Sequence, residues 1–204
     1  MKSDSIAFGI AGVFFGLIAG WIIGSQQAGT RPPAPAAQAA AATPAGGAAA
    51  APRPAVLDEA QVTALKSVAD RDAANVTPRV QLGNLYFDAE RYDDAIKWYE
   101  EAVKLAPKDV NVSTDLGVSY YYSNQPDKAL AQFDRSLKLD PKHAKTLLNV
   151  GIVKAFGKQD LDGASQAWQQ VITAAPDSPE AQAAKRALDG LRSAHSGGAT
   201  KPGA

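Results

Sequence analysis

The chain has 204 residues, with 21 Lys+Arg against 21 Asp+Glu, two histidines and no cysteine. A net charge of zero argues against a binder of nucleic-acid backbones, and the lack of cysteine removes disulfides, thiolate metal sites and thiol nucleophiles. At roughly 100–200 residues per domain, the length suits one domain plus extensions.

Residues 1–5 form a short flank, and Ile6–Gly24 (IAFGIAGVFFGLIAGWIIG) carries no charge. Nineteen residues rise about 28 Å as a helix, against a hydrocarbon core of about 30 Å, so 6–24 is predicted to be a transmembrane helix. Trp21 suits the membrane interface. Gly12, Gly16, Gly20 and Gly24 recur every four residues and share one helix face, along which a second backbone can approach closely. Homo-oligomerisation through that face is the corresponding expectation. A cleaved signal peptide would have a shorter apolar stretch and a small-x-small site, and Gln26 breaks the nearest candidate, so an uncleaved anchor is favoured. Lys2 inclines the N-terminus toward the cytoplasm. The expected location is therefore the cell (inner) membrane, single-pass, with everything beyond Gly24 on the outer face, periplasmic in a bacterium.

Residues 25–55 are nearly all Ala, Pro and Gly, with prolines at 32, 33, 35, 44, 52 and 54. No large side chain is available there to offset the entropy of ordering, and the prolines interrupt any helix. A disordered tether reaching about 30 Å as a flexible coil is expected.

From about Leu57 a period emerges. Leu82-Gly83, Leu116-Gly117 and Val150-Gly151 are 34 residues apart. Tyr86 aligns with Tyr120, Ala95 with Ala129, Tyr99 with Phe133, and Pro107 with Pro141. The third unit gains one residue between Gly157 and Ala164, after which Ala164, Trp168 and Pro176 return to register. This pattern resembles the tetratricopeptide repeat family, a 34-residue helix–turn–helix. The third unit departs from the family pattern at Lys154, where an aromatic is expected, and Arg79 and Ser113 stand where a Trp or Leu often begins a repeat. Apolar residues at helical spacing (Leu82, Tyr86; Ile96, Tyr99, Val103) point the same way, as do starts at Thr77-Pro78 and Gln125-Pro126 with proline at the first helical position. The expected fold is an all-α tetratricopeptide solenoid. Its parts are an N-terminal capping helix within 56–75 begun by Asp58, repeats at 76–109, 110–143 and 144–178, a capping helix at 179–192, and a disordered tail at 193–204.

No catalytic constellation is present. His143 lies in a repeat turn, where a solvated imidazole is the default, and His195 is in the tail. Asp93-Asp94, Glu100-Glu101 and Asp160/Asp162 read as solvated faces and caps. No metal site and no cofactor are expected, and an enzyme is not; Lys145 with Asp115 is the single charged pair worth weighing for chemistry.

The resemblance instead implies a concave groove lined by the first helices, used for a protein or peptide partner. Carried onto this chain it comprises Asn84, Phe87, Asp88, Val118, Tyr121, Tyr122, Lys145, Asn149, Ile152 and Phe156. Phe87, Tyr121 and Phe156 are the foremost candidates. Tyr120-Tyr121-Tyr122 cannot all face one way, so one is expected in the core and one exposed. Of the family's carboxylate-clamp positions only Asn84 and Lys145 match; Val80, Asp115 and Asn149 fill the others, and Asp115 would repel a terminal carboxylate. The reading is a membrane-tethered adaptor that binds a peptide or helix. The alternative is a chaperone-like component of c-type cytochrome biogenesis that binds apocytochrome, because AWQQVITAAPDSPEAQ (167–182) resembles the end of the repeat domains found there.

Overall fold

The computed structural model describes residues 55–197, with side chains as far as 193. The membrane helix expected at 6–24, its four glycines, the tether through 54 and residues 198–204 lie outside the described residues. Among the described residues no helix is long and apolar enough to cross a membrane.

The described chain is a succession of helices: α1 Glu59–Arg71, α2 Val76–Asp88, α3 Tyr92–Leu105, α4 Val110–Tyr122, α5 Pro126–Leu139, α6 Ala144–Ile152, α7 Leu161–Ala174 and α8 Pro179–Gly197. Each packs mainly on its neighbours in sequence, and α4 also touches α6 while α8 also touches α6. Such nearest-neighbour packing makes a solenoid of helical hairpins. Here α2, α4 and α6 are the first helices of three hairpins and α3, α5 and α7 the second.

Side-chain caps start the first helices. Asp109 accepts from the backbone N–H groups of Asn111 (2.9 Å) and Val112 (3.1 Å), satisfying donors that the first turn leaves orphaned. Asp58 does the same for α1, and Asn75 caps α2. That last cap moves the start of α2 two residues upstream of the expected proline: Pro78 is the third helical residue, still inside the first turn where a missing N–H costs nothing. Proline does open α5, at Pro126.

The turn within each hairpin contains one residue in the left-handed region: Glu90 (φ 57°), Asn124 (φ 61°) and Gln159 (φ 56°). The first two are 34 residues apart and the next pair 35, which locates the inserted residue of the third repeat ahead of Gln159. The chain absorbs it as a π-helical turn, Val153–Gly157, continuing α6. In the first two repeats Arg91 and Gln125 donate to carbonyls five residues back, Tyr86 and Tyr120. In the third, Asp160 donates to Lys154, six back.

A small residue against a ring closes each hairpin. A Cβ on Gly83 would lie 2.6 Å from the Tyr99 ring, and Gly117 and Gly151 face Phe133 and Trp168 as tightly. Tyr99, Phe133 and Trp168 are all buried, and the Trp168 indole donates to the Leu148 carbonyl at 3.2 Å.

The two departures at the repeat start have physical partners. Arg79 is buried and donates to the Asn75 carbonyl (2.7 Å), to the Ala69 carbonyl that ends α1, and to Glu101 (3.2 Å). Ser113 accepts from Gln132 and Ser136, both at 2.8 Å. Among the described residues no buried side-chain donor or acceptor lacks a partner.

Two boundaries differ from expectation. The α8 helix continues past Arg192 to Gly197, because nothing between them breaks it and Asp189 pairs with Arg192 and accepts from the Ser193 hydroxyl. At the other end Ala55, assigned to the tether, donates its N–H to the Asp88 carbonyl at 3.0 Å, and Leu57 packs on the first core cluster.

Candidate functional site

The first helices lie side by side, and their side chains meet across one face, the inner face of the stack. Three zones follow one another along it.

Nearest the N-terminal ends of α4 and α6 is a polar seam. The Thr114 hydroxyl donates to the Val110 carbonyl (2.7 Å) and meets the Thr146 hydroxyl at 2.7 Å. His143 reaches Thr146 with Nδ1 (2.7 Å) and Asn111 Oδ1 with Nε2 (3.2 Å). The proton sequence has one consistent direction. Thr114 spends its hydrogen on Val110, so Thr146 donates to Thr114 and His143 Nδ1–H donates to Thr146. His143 is thus a bridge between repeats and not a solvated turn residue, and burial lowers its pKa below the ordinary 6.5.

One turn further along, Lys145 Nζ sits 2.7 Å from Asp115 Oδ1, with side chains 25% and 14% exposed. Burial raises the Asp115 carboxyl while the Lys145 ammonium opposes it. The two charges are committed to one another, so Lys145 has no free charge for a ligand's carboxylate. Asn84 accepts a hydrogen bond from the buried Tyr99 hydroxyl, and Asn149 donates to the Lys145 carbonyl.

At the C-terminal ends of the first helices lies the aromatic zone. Ring centroids are 5.3 Å apart for Phe87–Tyr92, 5.4 Å for Phe87–Tyr122, 5.2 Å for Tyr92–Tyr122 and 5.6 Å for Tyr121–Tyr122. Tyr121 leans toward the π turn, where a Cβ on Gly157 would lie 3.3 Å from its ring. Burial raises the phenol pKa of Tyr121, and that of Tyr92 and Tyr122 with Glu90 adding to both.

The expected groove residues therefore divide. Phe87, Asp88, Tyr121, Tyr122, Asn84, Lys145 and Phe156 are half-buried and reach the surface. Val118, Asn149 and Ile152 are buried, between 4% and 5% exposed, and present almost no area to a ligand: they pack between helices. The structure joins Phe87, Tyr121 and Tyr122 in one cluster. Tyr120-Tyr121-Tyr122 does not split into a core ring and an exposed ring; all three are half-buried, with the Tyr120 hydroxyl donating to Glu100 (2.6 Å) and its pKa pushed up to about 12.

Sequence reasoning left out Tyr92, which enters the cluster from the first turn of α3. Its signal was an aromatic two residues beyond the tight turn that Phe87 leads into. The paired carboxylates found on paper are otherwise engaged: Asp94 accepts from Arg91 and Lys97, Glu101 from Arg79, and Asp160 caps α7. Among the described residues no group of three His, Cys, Asp or Glu could hold a metal ion.

An all-helical stack of three hairpins with a small residue against a ring in each defines a repeat domain of the interaction-module type. Tetratricopeptide repeat models match residues 73–142 and 114–179, so this part of the chain is a tetratricopeptide repeat domain. No match was found among curated proteins. Similar solved structures include the tetratricopeptide domain of Sgt2 from Aspergillus fumigatus, 26% identical, covering 63% of this chain and 85% of that one with a TM-score of 0.55. A MamA crystal structure is 20% identical over 66% of this chain and 89% of that one, TM-score 0.54. The first tetratricopeptide domain of human RPAP3 is 21% identical over 58% and 93%, TM-score 0.51. The last two likenesses are of fold alone.

Proposed function

We propose that the protein is a non-catalytic, membrane-tethered adaptor that binds a protein partner, as a peptide or helix, on the inner face of its repeats. The observation that carries this reading is the half-buried aromatic surface of Phe87, Tyr92, Tyr121 and Tyr122 on otherwise well-packed helices. Aromatic side chains supply large contact area at small entropic cost and are favoured as interface anchors. The internal Asp115–Lys145 pair argues in addition against a free carboxyl terminus as the ligand.

The tether is supported by sequence: an uncharged stretch at 6–24 of spanning length, followed by an Ala/Pro-rich segment. With Lys2 inside, the repeats stand on the outer face of the inner membrane, and the row Gly12, Gly16, Gly20 and Gly24 pairs two anchors. Crosslinking in native membranes, with identification of the adduct and protease accessibility of the repeats, tests the three parts separately. A specific adduct lost in a Tyr121→Ser/Phe156→Ser variant that keeps its helical circular dichroism is expected. An undiminished adduct contradicts the inner-face assignment, and repeats shielded from protease in sealed spheroplasts contradict the orientation.

A further inference from the structure

The aromatic cluster is bordered by carboxylates that nothing in the domain neutralises. Asp88 follows Phe87 at the end of α2, and Glu90 occupies the left-handed turn two residues before Tyr92. Glu90 is close enough to Tyr92 and Tyr122 to act on both phenols, and Asp88 is close enough to act on that of Tyr99. Neither carboxylate is in an ion pair among the described residues. The nearby cations are already engaged: Arg91 and Lys97 with Asp94, Lys154 with Asp160, Lys158 with Asp127, and Lys145 with Asp115. Asp88 is also half-buried, and that burial alone raises its pKa. A carboxylate in that position gains from an incoming cation more than a fully solvated one does.

The domain itself shows how such a surface holds a guanidinium. The Arg91 guanidinium carbon lies 4.9 Å from the centroid of the Tyr86 ring while its Nε and Nη2 donate to Asp94 at 2.9 and 2.6 Å. A planar guanidinium satisfies both demands at once, stacking on a ring and binding a carboxylate through its edge, which an ammonium does less well. The Phe87–Tyr92–Tyr122 cluster with Asp88 and Glu90 repeats these ingredients, rings beside carboxylates, without an arginine of its own.

We propose that this cluster receives an arginine side chain from an extended partner segment, the rings taking its guanidinium face and Asp88 and Glu90 its N–H edge. The proposal rests on the inner-face reading above and adds the chemistry of the partner. It places the charge requirement opposite to that of a carboxylate clamp: the ligand is basic at its anchor.

Selection of a random 12-residue phage peptide library on the immobilised full chain tests it, with Phe87→Ser/Tyr121→Ser and Asp88→Asn/Glu90→Gln as comparison baits and circular dichroism to confirm that both fold. Peptides enriched in arginine, retained on the wild type, lost on the ring variant and weakened about tenfold or more on the amide variant are expected. Their binding should also weaken with added salt. Enriched peptides that lack arginine, or that bind the amide variant equally well, overturn the arginine inference and leave the inner-face reading standing if the ring variant still loses them. Enrichment of acidic peptides overturns it outright. Enrichment no greater on the wild type than on the ring variant overturns both.

Discussion

At the scale of single residues, the hairpins depend on the absence of a methyl group. Gly117 lies in the middle of α4, where glycine is worse than alanine by about 1 kcal/mol of helix propensity. A Cβ there would penetrate the Phe133 ring, which is fully buried and cannot swing aside. Overpacking of that kind costs about 1–3 kcal/mol, so the steric term outweighs propensity. Gly117→Ala is therefore expected to lower the midpoint of urea unfolding, against the usual direction for a helical glycine; an unchanged or higher midpoint contradicts the packing. The Asp115–Lys145 pair makes a second prediction. Asp115→Ala strands a shielded ammonium and should destabilise by roughly 2 kcal/mol, while Asp115→Ala/Lys145→Met should recover much of the loss. Additive losses in the double variant would show that the pair does not couple.

His143 gives the seam a pH dependence. Burial holds its folded pKa below the ordinary 6.5, with Lys145 lowering it further and Asp140, Asp115 and Glu180 opposing. The unfolded chain then binds the proton more readily, so this contribution is complete above about 6.5 and is lost as pH falls through the folded value. Asp88 and Asp115, both raised, act in the opposite sense only as pH approaches the carboxyl range. Thermal midpoints should therefore drop between about pH 7.5 and about pH 6, and His143→Gln should flatten that slope. Equal slopes in the two proteins would place the titration elsewhere.

At the scale of elements, the caps carry the prediction. Asp109 accepts from two backbone donors at the start of α4, the central first helix. Asp109→Ala should cost about 1 kcal/mol and Asp109→Asn far less, since the amide oxygen still accepts; chemical denaturation of the three proteins distinguishes them. The π turn shows why the third repeat is one residue longer. The insertion was legible as a shift in period between Gly157 and Ala164, yet the chain places the irregularity earlier, at Val153–Gly157. The turn geometry at Gln159 and the ring–glycine contact of Trp168 with Gly151 are both fixed, so the slack is taken up in the last turn of the helix that joins them. A period in sequence says that a residue is extra, not which hydrogen bonds give way to it.

At the scale of the whole molecule, the repeat domain was readable because its determinants are local and recur: Gly83 under Tyr99, Gly117 under Phe133, Gly151 under Trp168. The inner face was less readable, because membership in it depends on how deeply neighbouring helices overlap. Val118, Asn149 and Ile152 occupy the same repeat positions as surface-reaching residues and are buried by the contact of α4 with α6 and by the second helices. Tyr92 belongs to a second helix, which a template of first-helix positions omits. His143 was misread for a related reason: its partners Asn111 and Thr146 include one from the preceding repeat, a pairing that no single repeat displays.

The account stands on the inner face being the surface where a partner docks. A photo-crosslinking amino acid at position 122 of the full chain, compared with one at Lys138 on the exposed side of α5, measures this directly in native membranes. Adducts to a distinct partner from position 122 and none from 138 are predicted; the same adduct from 138 with none from 122 would contradict it.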